Sequence, residues 1–154
     1  MPIALAPKAS LVHAIEIDEG LYKKGKERTK LLENVHYHHA DATKFDYHAL
    51  GESDYVTLSN VLEHIEYRKE FLSALIEKVK WKNGEVKFLI RVPLIEREWP
   101  AVYKKEQGLE YRLDYTHFTE YNEEEILEEL NSIGLTVRSI KMKFGEFFII
   151  CDKL

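Results

Sequence analysis

Short runs rich in β-branched and aromatic residues alternate along this chain with segments of helical period, and that alternation limits the folds open to it. Leu11 to Asp18 (LVHAIEID) is one such run and ends in acids. EGLYKKGKERTKLL then reads as a helix with a weak apolar face, interrupted by Gly25. Val35 to His39 is a second predicted strand and Asp54 to Ser59 a third. Phe71, Leu72, Leu75, Ile76 and Val79 repeat at helical spacing, Asn83-Gly84 marks a turn, and EVKFLIRVP is a fourth strand that stops at Pro93. Leu94 to Tyr121 reads as irregular and aromatic-rich, suited to core and lid packing or to lining an acceptor pocket. NEEEILEELNSIG is a helix with Asn122 and Glu125 as a capping box and Gly134 past its end. LTVRSIKM and EFFIICDK meet at Gly145 as a closing hairpin.

This order predicts a single α/β domain over residues 1–154, a Rossmann-like, mostly parallel sheet with an antiparallel hairpin at its end. The 154 residues suffice for a real core. A net charge of −5 argues against a phosphate grip on nucleic acid. The lone Cys151 excludes an intrachain disulfide framework. No apolar run approaches the roughly 18 to 20 residues of a membrane span, and the first residues lack a signal peptide's charged start and apolar core. The expected setting is cytoplasmic. Gln107 is the one glutamine among abundant Lys and Glu, a thermophile-like bias.

In parallel α/β sheets ligands collect at the carboxyl ends of the strands. There the chain places Glu16 and Asp18, Asp41 and Ala42, then Ser59 and Asn60 followed by LEHI. An acid at such an end can accept hydrogen bonds from a ribose diol, and an Asp at a neighbouring end from a purine amine. Blander readings stand beside these. Glu16 and Asp18 also suit a solvated strand end, Asp41 a turn or cap, and Glu63 a solvated or capping acid. His64 reads first as a half-buried structural histidine at a helix start and second as a general base. His36 and His38 share a strand face, but no further ligand is spaced to complete a zinc site, so no metal is predicted.

These residues resemble the class I S-adenosylmethionine-dependent methyltransferases of the small-molecule type, from about Ala4 to Lys153. VHAIEID is similar to the strand whose terminal acid holds the cosubstrate ribose, HADATKFD to the segment bordering the adenine, and DYVTLSNVLEHI to the motif at the following strand end. DYTHFTEYNEEEILEELNSIGL resembles the late segment in which an acid and a His precede a helix ending in Gly. The resemblance implies S-adenosylmethionine as cofactor, contacted by Glu16, Asp18, Asp41, Ala42, Ser59 and Asn60. It also implies a small-molecule acceptor, unidentified, with His64, His117 and Tyr115 as catalytic candidates.

One family feature is missing. None of the seven glycines precedes Glu16, and no two form Gly-x-Gly, the loop that lets the backbone approach the methionine moiety. IALAPKAS looks like the end of the helix after that loop, so the expectation is an N-terminally truncated sheet with a gap beside the LVHAI and YVTL strands. Either those strands pair directly, or MPIALAP supplies a substitute strand, or two chains pair as a homodimer, the outcome expected here. The isolated chain is expected to bind the cosubstrate weakly or not at all. The alternative function is a non-catalytic methyltransferase-like module for binding or oligomerisation.

Overall fold

The computed structural model describes residues 2–153, and two compact units organise the chain, Met1–Leu50 and Gly51–Leu154. In the first unit a short helix, α1 (Pro2–Leu5), continues into a 3-10 turn at Ala6–Lys8. Strand β1 (Val12–Glu16), helix α2 (Glu19–Arg28) and strand β2 (Val35–His39) follow, and a 3-10 turn at Tyr47–Leu50 closes the unit. The two strands pair in parallel from Val12↔Val35 to Glu16↔His39, with α2 as the crossover.

Helix α2 starts where Asp18 caps it, its Oδ1 accepting from the Leu21 N–H at 2.7 Å. It does not run to Leu32 as its sequence suggests. It ends at Thr29, whose N–H and hydroxyl both donate to the Gly25 carbonyl, at 3.1 and 2.9 Å. Nor does Gly25 interrupt the helix. It lies within α2 where a Cβ would sit 2.5 Å from the Tyr37 ring, so glycine lets helix and strand approach.

The second unit holds β3 (Glu52–Ser53), β4 (Val56–Ser59), α3 (Arg68–Lys78), β5 (Lys80–Trp81) and β6 (Val86–Pro93). Helices α4 (Trp99–Glu106) and α5 (Glu123–Ser132) and the hairpin β7 (Thr136–Lys143) and β8 (Glu146–Lys153) complete it. Four strands form a sheet in the order β4-β6-β8-β7. The β4–β6 ladder is parallel, while β8 is antiparallel to both β6 and β7. The hairpin turns at Phe144 and Gly145 with φ of 55° and 72°, the two-residue turn whose twist suits flanking strands. The pairs Phe88↔Cys151, Ile90↔Ile149 and Val92↔Phe147 align across β6 and β8, and all six residues are buried. Leu72 and Leu75 of α3 and Ile126 and Leu130 of α5 are buried too, each worth roughly 1.5 to 3 kcal/mol.

Three expectations are corrected. Leu94 to Tyr121 is not wholly irregular. It contains α4, which opens on a favourable first-turn Pro100 but buries only Ala101 and so lacks a readable apolar stripe. The two-residue strands β3 and β5, paired in parallel, were not predicted. No substitute strand forms from MPIALAP within the described residues, because Pro2–Leu5 is helical (Met1 lies outside the described residues). Among the described residues β1 has β2 as its one ladder partner and β4 has β6 as its one, so each keeps an open edge.

Candidate active site

In the first unit parallel pairing brings the ends of β1 and β2 out on one side of their sheet. Glu16 terminates β1, its Oε1 accepting from the Asp18 N–H at 2.9 Å and its carbonyl from the Ala40 N–H at 3.0 Å. Asp18 is committed to capping α2. Beyond β2, Asp41 Oδ1 accepts from the backbone N–H and hydroxyl of Thr43, at 2.9 and 2.7 Å, and Oδ2 meets Lys44 at 3.0 Å. The Thr43 bonds and Lys44 hold its carboxyl below the usual range. Ala42 presents its carbonyl to the Tyr47 hydroxyl at 2.7 Å, and burial pushes that phenol up to about 12. Beside the nucleoside reading, the sequence offers a solvated strand end for Glu16 and Asp18 and a turn or cap for Asp41. The local bonds of Asp41 match its turn or cap reading, and Asp18 serves as a cap that the sequence reading does not assign to it; neither acid has every acceptor lone pair occupied.

Also in this unit, His13 Nδ1 lies 3.0 Å from His38 Nε2, and the His13 ring packs against His36. Burial, then the neighbouring His38 and His36, keep His13 below its usual value.

In the second unit β4 ends at Ser59, and Asn60 turns the chain with a left-handed φ of 53°. The Asn60 N–H donates to the Arg91 carbonyl at 2.9 Å and its side-chain amide to Glu146 Oε1 at 3.3 Å. Arg91 grips the same carboxylate with two bonds, Nε to Oε2 at 2.7 Å and a terminal nitrogen to Oε1 at 2.8 Å. That pairing holds Glu146 below the usual carboxylate range.

The turn at Asn60 leads into a 3-10 helix at Leu62–His64. Here two expectations fail. Glu63 is not solvated but 1% exposed, and desolvation raises its pKa. His64 is exposed rather than half-buried. The signal for Glu63 was its place between Leu62 and Ile65, but a 3-10 turn buries faces that α-helical spacing does not forecast.

His64 meets His117 edge-to-face with ring centroids 4.7 Å apart. The segments are fastened by the Phe118 N–H donating to the Glu63 carbonyl at 2.7 Å. Buried His117 has its Nδ1 2.6 Å from Oε1 of Glu120, a fully buried acid that sequence reading missed, although it lies three residues past the histidine. His64 Nδ1 lies 3.0 Å from the Thr116 hydroxyl, which donates to Asp114 at 2.7 Å. Among the described residues the structure thus unites two catalytic candidates with Glu63 and Glu120. Tyr115, the third, is 93% exposed.

Residues 2–84 match the family model of a methyltransferase domain, and the chain belongs to that family. Solved structures place the fold among the class I S-adenosylmethionine-dependent methyltransferases. Magnesium protoporphyrin IX methyltransferase from Synechocystis PCC 6803, with bound SAH, is 17% identical with a TM-score of 0.68, covering 99% of this chain and 68% of that one. A SAM-dependent methyltransferase from Aquifex aeolicus is 17% identical with a TM-score of 0.63, covering 94% and 69%. One from Methanosarcina mazei is 12% identical with a TM-score of 0.69, covering 99% and 86%. No curated protein matches the sequence. No helix among the described residues is long and apolar enough to cross a membrane.

Proposed function

We propose that the chain serves S-adenosylmethionine-dependent methyl transfer to a small-molecule acceptor. Glu16 takes the ribose hydroxyls and Asp41 with Ala42 the adenine. Within the second unit, taken by itself, Ser59 and Asn60 stand at the carboxyl end of β4, and His64 and His117 are the candidates for receiving an acceptor's proton. The observation that carries this reading is the emergence of Glu16 and Asp41 from the carboxyl ends of two parallel strands, the position at which such sheets bind ligands. In the reaction an acceptor lone pair attacks the methyl carbon, and the carbon–sulfur bonding pair passes to sulfur, leaving S-adenosylhomocysteine. The protein supplies orientation and a destination for the acceptor's proton.

A second reading, a nucleoside-binding module without catalysis, draws on one fact: none of the seven glycines stands in a Gly-x-Gly. Both readings assign the nucleoside to the same residues. The test is chemical-shift mapping of the labelled chain with S-adenosylhomocysteine. Shifts centred on Glu16 to Asp18 and Asp41 to Thr43 are expected, and shifts confined to other residues would overturn the assignment. Transfer of a labelled methyl group from S-adenosylmethionine by the purified chain would set the module reading aside.

A further inference from the structure

We propose that Glu63, His64 and His117 form a binding site for one divalent transition-metal ion of the Zn2+ type. Each offers a ligand atom, and these atoms lie within 4.8 Å of one another. Ligands around a tetrahedral Zn2+ sit about 3.3 Å apart, given bond lengths of roughly 2.0 to 2.1 Å. The three groups must therefore draw together on binding, and His64, the exposed member, has room to turn.

The hydrogen bonds fix both imidazoles in the tautomer a metal needs. The hydroxyl proton of Thr116 goes to Asp114 Oδ1 at 2.7 Å, so the His64 Nδ1–H donates to Thr116 Oγ1 at 3.0 Å. The Nε2 lone pair of His64 is then free. His117 likewise donates Nδ1–H to Glu120 Oε1 at 2.6 Å, which frees its Nε2. A carboxylate or hydroxyl behind each ligating imidazole is the outer-shell arrangement that orients metal-bound histidines.

An independent observation points to a missing partner. Glu63 Oε2 is buried and has no hydrogen-bond partner, and Glu63 as a whole is 1% exposed. A buried acceptor without a donor is rare, and a cation satisfies it. Two imidazoles and one carboxylate suit Zn2+, Fe2+ or Co2+ better than Mg2+, which prefers oxygen ligands in octahedral geometry. Three protein ligands leave a fourth position of a tetrahedral ion open.

The ion's role rests on the methyl-transfer reading. At the open position it would bind an acceptor hydroxyl and lower its pKa, so that the proton leaves to solvent and the oxygen attacks the methyl carbon. The binding itself does not depend on that reading and is tested without any cosubstrate.

The experiment is calorimetric titration of chelator-treated chain with Zn2+ alone, repeated with Co2+ under visible absorption. One equivalent is expected to bind, with Co2+ giving d–d bands of a low-coordinate site. Glu63→Gln, His64→Gln and His117→Gln should each weaken binding at least tenfold. His64 is exposed, so His64→Gln keeps the fold intact, which its melting curve checks. His38→Gln, in the separate histidine cluster, should leave binding unchanged. No binding, retained binding in His64→Gln, or loss in His38→Gln would overturn the proposal. Binding as expected with no effect of Zn2+ on methyl transfer would preserve the site and remove only its assigned role.

Discussion

Asn60 is the residue on which the second unit's strand end turns. Its φ of 53° lies in the left-handed region, where Asn is tolerated and β-branched side chains are strained. Asn60→Val is expected to destabilise the chain by about 1 to 2 kcal/mol in urea unfolding, and Asn60→Gly by less, since glycine adopts the angle freely. Equal losses in the two variants would show that the Glu146 contact rather than the backbone matters. At this scale the sequence disclosed residue types but not their surroundings. Glu16 and Asp41 were legible because a strand end is a place in a pattern. Glu63 was misread and Glu120 missed because both are buried where segments over fifty residues apart meet, joined by the Glu63–Phe118 backbone bond. Gly25 illustrates the same point. Helix propensity alone favours Ala there, yet the Tyr37 ring occupies the space, so Gly25→Ala is expected to lower the melting temperature rather than raise it.

Between elements, the Arg91–Glu146 pair ties β6 to β8 where the two strands begin and end their ladder. A carboxylate held below its ordinary value of 4.5 contributes stability that is present above that pH and is lost as pH falls through the folded value. The chain's stability should therefore drop on acidification below about pH 4.5, and Glu146→Gln should flatten that limb. The variant should also lose about 1 to 3 kcal/mol at neutral pH. An unchanged acid limb in Glu146→Gln would show that other carboxylates govern it. Elements with strong composition or end signals were readable from sequence: β6 by its β-branched and aromatic residues, α5 by Asn122 and Glu125, the hairpin by Gly145. Helix α4 was not, because it buries one residue, and β3 and β5 were not, because two residues carry no period.

For the molecule as a whole, the open edges matter most. The β7 edge carries Arg138, Lys141 and Lys143, the charges that discourage further pairing. By contrast Leu11, Ile17 and Tyr55, at the ends of β1 and β4, are about half or more exposed. A homodimer is the expected state, and sedimentation equilibrium should show it. A monomer of 18.1 kDa up to hundreds of micromolar would refute edge pairing. The central claim, that this methyltransferase fold still recognises the nucleoside through Glu16, is tested most directly by calorimetric titration with S-adenosylhomocysteine, comparing the native chain with Glu16→Ala. Weak binding is expected, with a dissociation constant of roughly 0.1 mM or above, and the variant should bind weaker still by about 1 to 3 kcal/mol. The same affinity in both proteins, or no measurable binding by the native chain, would contradict the account.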